Sequence, residues 1–162
     1  MADTTYALVT SRSEFHAALR NALQEIATLG CREVFISDLD FADWPLSDAG
    51  VLASLTLWAH NHRKLTVLAQ HFDEVVRRHA RWVEWRRHWS HIVECRANTE
   101  LEAGKLPTLL LAPGVLALRL VDPVRFRGSV WREAADMVRC RESLDAVLQR
   151  SVETFPVTTL GL

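Results

Sequence analysis

Residues 71–96 read HFDEVVRRHARWVEWRRHWSHIVECR, and the way this stretch divides decides the fold. At 100° per residue, Trp82, Trp85 and Trp89 fall in a stripe roughly 60° wide, which is helical spacing. The last six residues, His91–Arg96, read instead as a strand. The segment is therefore a helical stretch over His71–Ser90, broken near His79-Ala80, that leads into a strand.

The same alternation continues on both sides. Upstream, Lys64–Ala69 (KLTVLA), Glu33–Ser37 (EVFIS) and Thr5–Thr10 (TYALVT) are β-prone runs of strand length. Ser11-Arg12-Ser13-Glu14 is a capping box that opens a helix. Its apolar positions Phe15, Ala18, Leu19, Ala22, Ile26 and Leu29 recur every three or four residues, and Gly30 ends it. A second helix spans about Ala49–His60. It follows Asp38–Asp48, a loop with four aspartates and Pro45. Downstream, Thr108–Ala112 and Val115–Val121 flank Pro113-Gly114 as a hairpin, and Trp131–Val152 reads as a last helical region. The tail Phe155–Leu162 has no charged side chain. The order β-α-β-α-β-α-β-β-β-α predicts one α/β domain over residues 1–162. Its sheet is a mainly parallel mixed one, with helices on both faces and a C-terminal β-hairpin.

Composition narrows the function classes. The chain has 162 residues, is 49% hydrophobic and 24% charged, and carries a formal charge of −1. The longest run free of Asp, Glu, Lys, Arg and His, Leu106–Leu118, holds two prolines and a glycine and is too short to span a bilayer. The N-terminus lacks the basic region of a secretory signal. Cys31, Cys95 and Cys140 are odd in number and widely spaced, which argues against a disulfide framework or zinc knuckle and for reduced thiols in a cytoplasm. No membrane association and no cofactor are expected. HExxH, GxSxG, GxGxxG and GxxxxGK[ST] are all absent.

Ligands of open α/β sheets bind beyond the carboxyl ends of the strands. That rule selects Arg12, Asp38, Asp40, His71, Arg96 and Asp122 as candidate ligand-binding residues, with Ser11 and Gln70 beside them. Asp38-Leu39-Asp40 resembles the paired aspartates of haloacid-dehalogenase-like phosphatases only as far as Phe41 and Ala42, which break that pattern. The aspartates then read as turn caps, and no metal site is expected. The Arg/Trp helix offers a second possibility. Arg77, Arg78, Arg81, Arg86 and Arg87, with interleaved tryptophans, have the makings of a surface that tracks phosphates and stacks bases. A tryptophan stripe also packs against a sheet or a partner subunit, and a chain charge of −1 argues against a dedicated polyanion binder.

The element order, together with WVEWRRHWSHIVECR (residues 82–96), resembles a single repeat of the phospholipase D superfamily over most of the chain. The resemblance implies two repeats facing each other, in one chain or a dimer, each with His-x-Lys-x4-Asp. One His attacks phosphorus, the other protonates the leaving oxygen, and the lysines stabilise the phosphoryl oxygens. In this chain Leu106–Val121, where that motif belongs, contains neither His nor Lys. The one His-x-Lys, His62-Arg63-Lys64, precedes the third strand and has Ala69 where Asp is required.

The expectation is a non-catalytic binding or regulatory module that forms a homodimer, because a solitary repeat leaves its sister face uncovered. Trp82, Trp85, Trp89, Phe155, Leu160 and Leu162 are the candidate interface residues, and another protein partner fits the same face. The tail has an alternative role, as an edge strand within its own subunit. Two rivals remain: a nucleic-acid-binding domain, and an enzyme with a strand-end site built on Asp38, Asp40, His71 or Asp122.

Overall fold

The computed structural model describes residues 6–101 and 105–155. Its elements are β1 (Tyr6–Val9), α1 (Arg12–Leu29), β2 (Glu33–Ser37), α2 (Ala49–Trp58), β3 (Lys64–Ala69), α3 (Asp73–Arg78), α4 (Ala80–His88), β4 (Val93–Ala97), β5 (Thr108–Ala112), β6 (Leu116–Asp122), β7 (Arg127–Trp131), α5 (Ala134–Leu148) and β8 (Val152–Glu153). The eight strands form one sheet in the order β1-β7-β6-β5-β2-β3-β4-β8.

Connection length explains the pairing. A parallel neighbour needs a crossover, and only α2 and the α3–α4 pair supply crossovers between adjacent strands. Thus β2-β3 and β3-β4 are parallel, with Val34 opposite Leu65 and Val67 opposite Cys95. Hairpins and returning segments make the remaining ladders antiparallel. The sheet is mixed, as expected, but the expectation that it is mainly parallel is corrected: two ladders are parallel and five are antiparallel, because α1 leads to a strand that does not neighbour β1 and the later strands return through hairpins.

Two strands went unread in the sequence, and both have a local reason. Arg127–Trp131 (RGSVW) holds a glycine and a serine in place of an apolar run, and it was assigned partly to the last helix, which in fact begins at Ala134. Val152–Glu153 is two residues long and exposed, so nothing in it alternates. The helical stretch at 71–90 does break at His79, which caps α3 and α4 together. The His79 ring nitrogen Nε2 lies 2.8 Å from the Phe41 carbonyl oxygen.

Helices cover both faces. α1, α2, α3 and α4 bury Phe15, Leu19, Ile26, Val51, Trp58, Val75 and Trp82 on one face, while α5 buries Met137 and Leu144 against Phe35, Leu109 and Leu111 on the other. Trp82 has no exposed surface and Trp85 is 8% exposed. The assignment of these two to a subunit interface is therefore corrected: their apolar area packs in the chain's own core. Trp85, Trp82 and the half-buried Trp89 form a ladder with centroids 6.4 Å apart at each step. Phe155, the one described residue of the tail, stacks on Phe72 at 5.3 Å, and the edge strand added to β4 is β8, which precedes the tail. Leu160 and Leu162 lie outside the described residues.

Candidate functional site

The carboxyl ends of β2 and β3 and the start of β5 meet at one end of the sheet, and polar side chains collect there as the strand-end rule expects. They bond to each other and to the backbone. One Asp38 oxygen accepts hydrogen bonds from the Phe41 and Asp40 amides at 2.8 and 3.3 Å. Its other oxygen accepts from the Thr108 hydroxyl at 2.5 Å. Phe41 has φ 60°, a conformation that a non-glycine residue adopts only when its surroundings hold it there. Burial pushes the Asp38 carboxyl up from its ordinary value, and the three hydrogen bonds oppose that shift.

Neighbouring groups close the same end. The Ser37 hydroxyl donates to the Pro107 carbonyl at 2.8 Å, and the Gln70 amide donates to the Leu101 carbonyl at 2.8 Å. Asn98, 1% exposed, accepts from the Glu100 and Leu101 amides and donates to the Val147 carbonyl. Ser37, Asn98 and Thr108 are the residues that strand-end reasoning missed. Their only sequence signal is a polar residue at the margin of an apolar run.

The six candidate ligand-binding residues do not converge. Asp38 and Asp40 share one loop, and Asp40 caps the next turn by accepting from the Ala42 amide at 3.0 Å. The His71 side chain is exposed beside them. Arg12 faces Asp43 across 3.7 Å in solvent. Arg96 lies on the α5 face, donating to the Ser151 hydroxyl and carbonyl and to Glu94. Asp122 sits at the β6–β7 turn, paired with Arg125 at 3.2 Å. Among the described residues, no group of three His, Cys, Asp or Glu side chains is arranged to hold a metal ion. The enclosed apolar cavity between α1, α2 and the sheet is about 20 Å³, too small for a ligand.

Asp38→Ala is expected to lower stability by about 1–3 kcal/mol, because it strands the Thr108 hydroxyl and two loop amides. Asp38→Asn keeps an acceptor and should lose less. Urea unfolding of both variants checks the order, and equal losses would mean that the hydrogen bonds are not what Asp38 supplies.

The Arg/Trp helix is not a basic stripe. Glu74 binds both Arg77 and Arg78, at 2.7 and 2.6 Å, Glu84 lies 3.8 Å from Arg87, and Arg86 is buried. Arg81 is exposed.

His79 titrates against this frame. Burial pulls its pKa below 6.5, helped by the positive charge of Arg78 and opposed by the Phe41 carbonyl and Glu74. The unfolded chain therefore takes up the proton first as pH falls. The stability that neutral His79 contributes is complete above about 6.5 and declines on acidification through that value. Urea midpoints at pH 7.5 and 5.5 should differ more in the native chain than in His79→Gln, and an unchanged difference would remove His79 from the account.

The α5 face is the other recessed surface. α5 stands as a ridge on the middle of the sheet, with a groove on either side. One groove, about 460 Å³, is lined by Arg119, Val121, Ser129, Trp131, Glu133 and Cys140. Leu8, Ser129 and Arg119 share a cross-strand row on this face, and Leu8 and Val121 are 67% and 76% exposed. The second groove, about 440 Å³, is lined by Glu33, Lys64, Glu94, Arg96, Arg141 and Asp145, whose charges pair with one another.

A mixed eight-stranded sheet with four helices on one face and one on the other is the phospholipase-D-like fold. Solved structures that share it include the following three. One, of Nuc, a phospholipase D family member from Salmonella typhimurium, matches with a TM-score of 0.59 at 5% identity, over 93% of this chain and 99% of that one. NucT from Helicobacter pylori gives 0.59 at 9% identity, over 92% and 98%. TrmBL2, an archaeal chromatin protein with a novel mode of DNA binding, gives 0.64 at 12% identity over 93% of this chain. The chain spans about half, 54%, of that protein's length. At these identities the likeness establishes the fold. No family model and no curated protein matches the sequence. No described helix is long and apolar enough to cross a membrane.

Proposed function

We propose that the chain is a non-catalytic phospholipase-D-like module that acts as a homodimer through its α5 face. The observation that carries the reading is the content of Leu106–Val121. This segment holds no His or Lys. Leu109, Leu110, Leu111 and Leu116 are buried there, and its Thr108 hydroxyl is bound to Asp38. Nucleophile, proton donor and phosphate clamp are all missing, and the polar groups at the strand ends are engaged in holding the loops.

The ridge-and-groove relief of the α5 face supports self-association. A two-fold axis places the same patch on both sides, so that patch must complement itself. A ridge beside a groove does so in shape. Arg119 and Glu133, both exposed and without ion-pair partners among the described residues, do so in charge. Residues Leu8, Val121 and Trp131 supply the apolar area. Sedimentation at micromolar concentration should give a dimer, and Val121→Glu should give a folded monomer. A monomeric native chain, or turnover of bis(p-nitrophenyl) phosphate by the purified protein, would overturn the proposal.

A nucleic-acid surface is the second reading, favoured by the fold shared with a DNA-binding chromatin protein. With Arg77, Arg78 and Arg87 facing glutamates and Arg86 buried, the Arg/Trp helix has little charge to spare for phosphates. Duplex DNA binding at low salt that weakens in Arg81→Ala would favour this reading over self-association alone.

A further inference from the structure

Arg86 is the one arginine of the Arg/Trp helix drawn into the interior. It is 4% exposed, its Nε is fully enclosed, and it donates no hydrogen bond to any acceptor among the described residues. Buried polar groups are almost always hydrogen-bonded, and a buried cation without a counter-charge is still more unusual. Elsewhere in the chain Arg77, Arg78, Arg96, Arg132 and Arg141 all meet carboxylates.

The groups around Arg86 do not supply an acceptor. The Phe155 ring lies over the guanidinium at 4.5 Å, which favours the charge but accepts no conventional hydrogen bond. The Cys95 thiol is wholly buried, and burial pushes it up to about 12, so it stays neutral. Glu153 attracts Arg86 electrostatically, but its side chain is exposed on β8. What covers the site is a strap, Ser151–Phe155. Two residue pairs to β4, one bond from the Thr154 amide to the Cys95 carbonyl at 2.9 Å, and the stack of Phe155 on Phe72 hold it down.

We propose that Arg86 anchors a binding site for a small oxoanion, a carboxylate or a phosphate, beneath this strap. The planar fork of the guanidinium suits two parallel bonds to such an anion. Phe155 stands over the same group, so anion binding and strap closure stabilise each other. This site lies on α4 and β4, apart from the α5 face, and stands or falls independently of the dimer.

The test is thermal unfolding of the full chain, followed by tryptophan fluorescence, in inorganic phosphate, acetate or chloride at matched ionic strength. The native chain should show a saturable rise in melting temperature with phosphate or acetate over chloride, and the stronger of the two identifies the source of the anion. Arg86→Met, folded by circular dichroism, should lose the rise, and Glu153→Gln should sharpen it by removing a competing carboxylate. A native chain indifferent to both anions would overturn the proposal, as would a rise that survives in Arg86→Met. A rise seen only after residues 156–162 are deleted would also overturn it, by showing that the chain's own end fills the site.

Discussion

Gly128→Ala is expected to be the most damaging small substitution in the chain, lowering stability by about 3–5 kcal/mol. Gly128 lies in β7, paired with Leu120 of β6 on one side and Val9 of β1 on the other. A Cβ there would stand 1.9 Å from the Arg119 carbonyl oxygen and 2.7 Å from the Leu120 Cα. Both are backbone atoms of a neighbouring strand, so no side chain can swing aside. The ladder must part beside the bulge between Leu120 and Asp122, and β1 is held to the sheet only through β7. With domain stabilities of about 5–15 kcal/mol, a loss of this size leaves little or no folded chain under mild denaturation. Gly114→Ala is the control. Gly114 has φ +85° at the β5–β6 turn, but a Cβ there meets nothing within 4 Å, so only backbone strain of about 1–2 kcal/mol is expected. Urea unfolding of both variants should rank them in that order. Equal losses would show that the close approach of β7 to β6 is not what requires the glycine.

Trp82→Ala should lower stability by about 3–5 kcal/mol, the usual range for emptying a large buried site. Trp82 is wholly enclosed between α4 and the sheet and stacks toward Trp85. Its indole nitrogen is buried with no hydrogen-bond partner among the described residues, so Trp82→Phe gives up some volume but also removes a stranded donor, and should lose much less. The pair separates two roles of the tryptophan stripe. If Trp82 is core, Trp82→Ala unfolds at lower urea and Trp82→Phe leaves the sedimentation of the native chain unchanged. A Trp82→Ala chain of native stability that sediments as a monomer would restore the interface role.

The parts of the fold legible in the sequence are those whose signal is local. The cap at Ser11 forms, with the Glu14 amide donating to the Ser11 hydroxyl at 3.2 Å, because its four residues need no distant partner; the returning half of the box shifts by one residue, the Glu14 carboxylate accepting from the Thr10 amide at 2.8 Å. β2, β3 and β5 have the expected bounds, since strands buried on both faces must be continuous apolar runs. β7 and β8 were missed because they are recruited by what lies beside them. RGSVW becomes a strand between β6 and β1, and Val152–Glu153 becomes one because Arg96 binds Ser151 and the β4 edge is open.

The candidate site was less legible for the same reason. The sequence placed Asp38 and Asp40 at a strand end, and that is where they lie. Whether those carboxylates face a ligand or a loop depends on Thr108, seventy residues away, and on the amides of a turn folded back over them. Arg86 and Arg87 are adjacent in sequence, yet one is buried under an aromatic ring and the other is at the surface.

By itself, then, the sequence determined the alternation of helices and strands, the boundaries of the buried strands and that no His-x-Lys-x4-Asp string occurs in it, because each is written in neighbouring residues. Only the tertiary structure decided the antiparallel arm, the burial of Trp82 and Arg86, and the bonded state of the strand-end carboxylates. Those depend on contacts between residues far apart in the chain, which no periodicity within a single segment encodes.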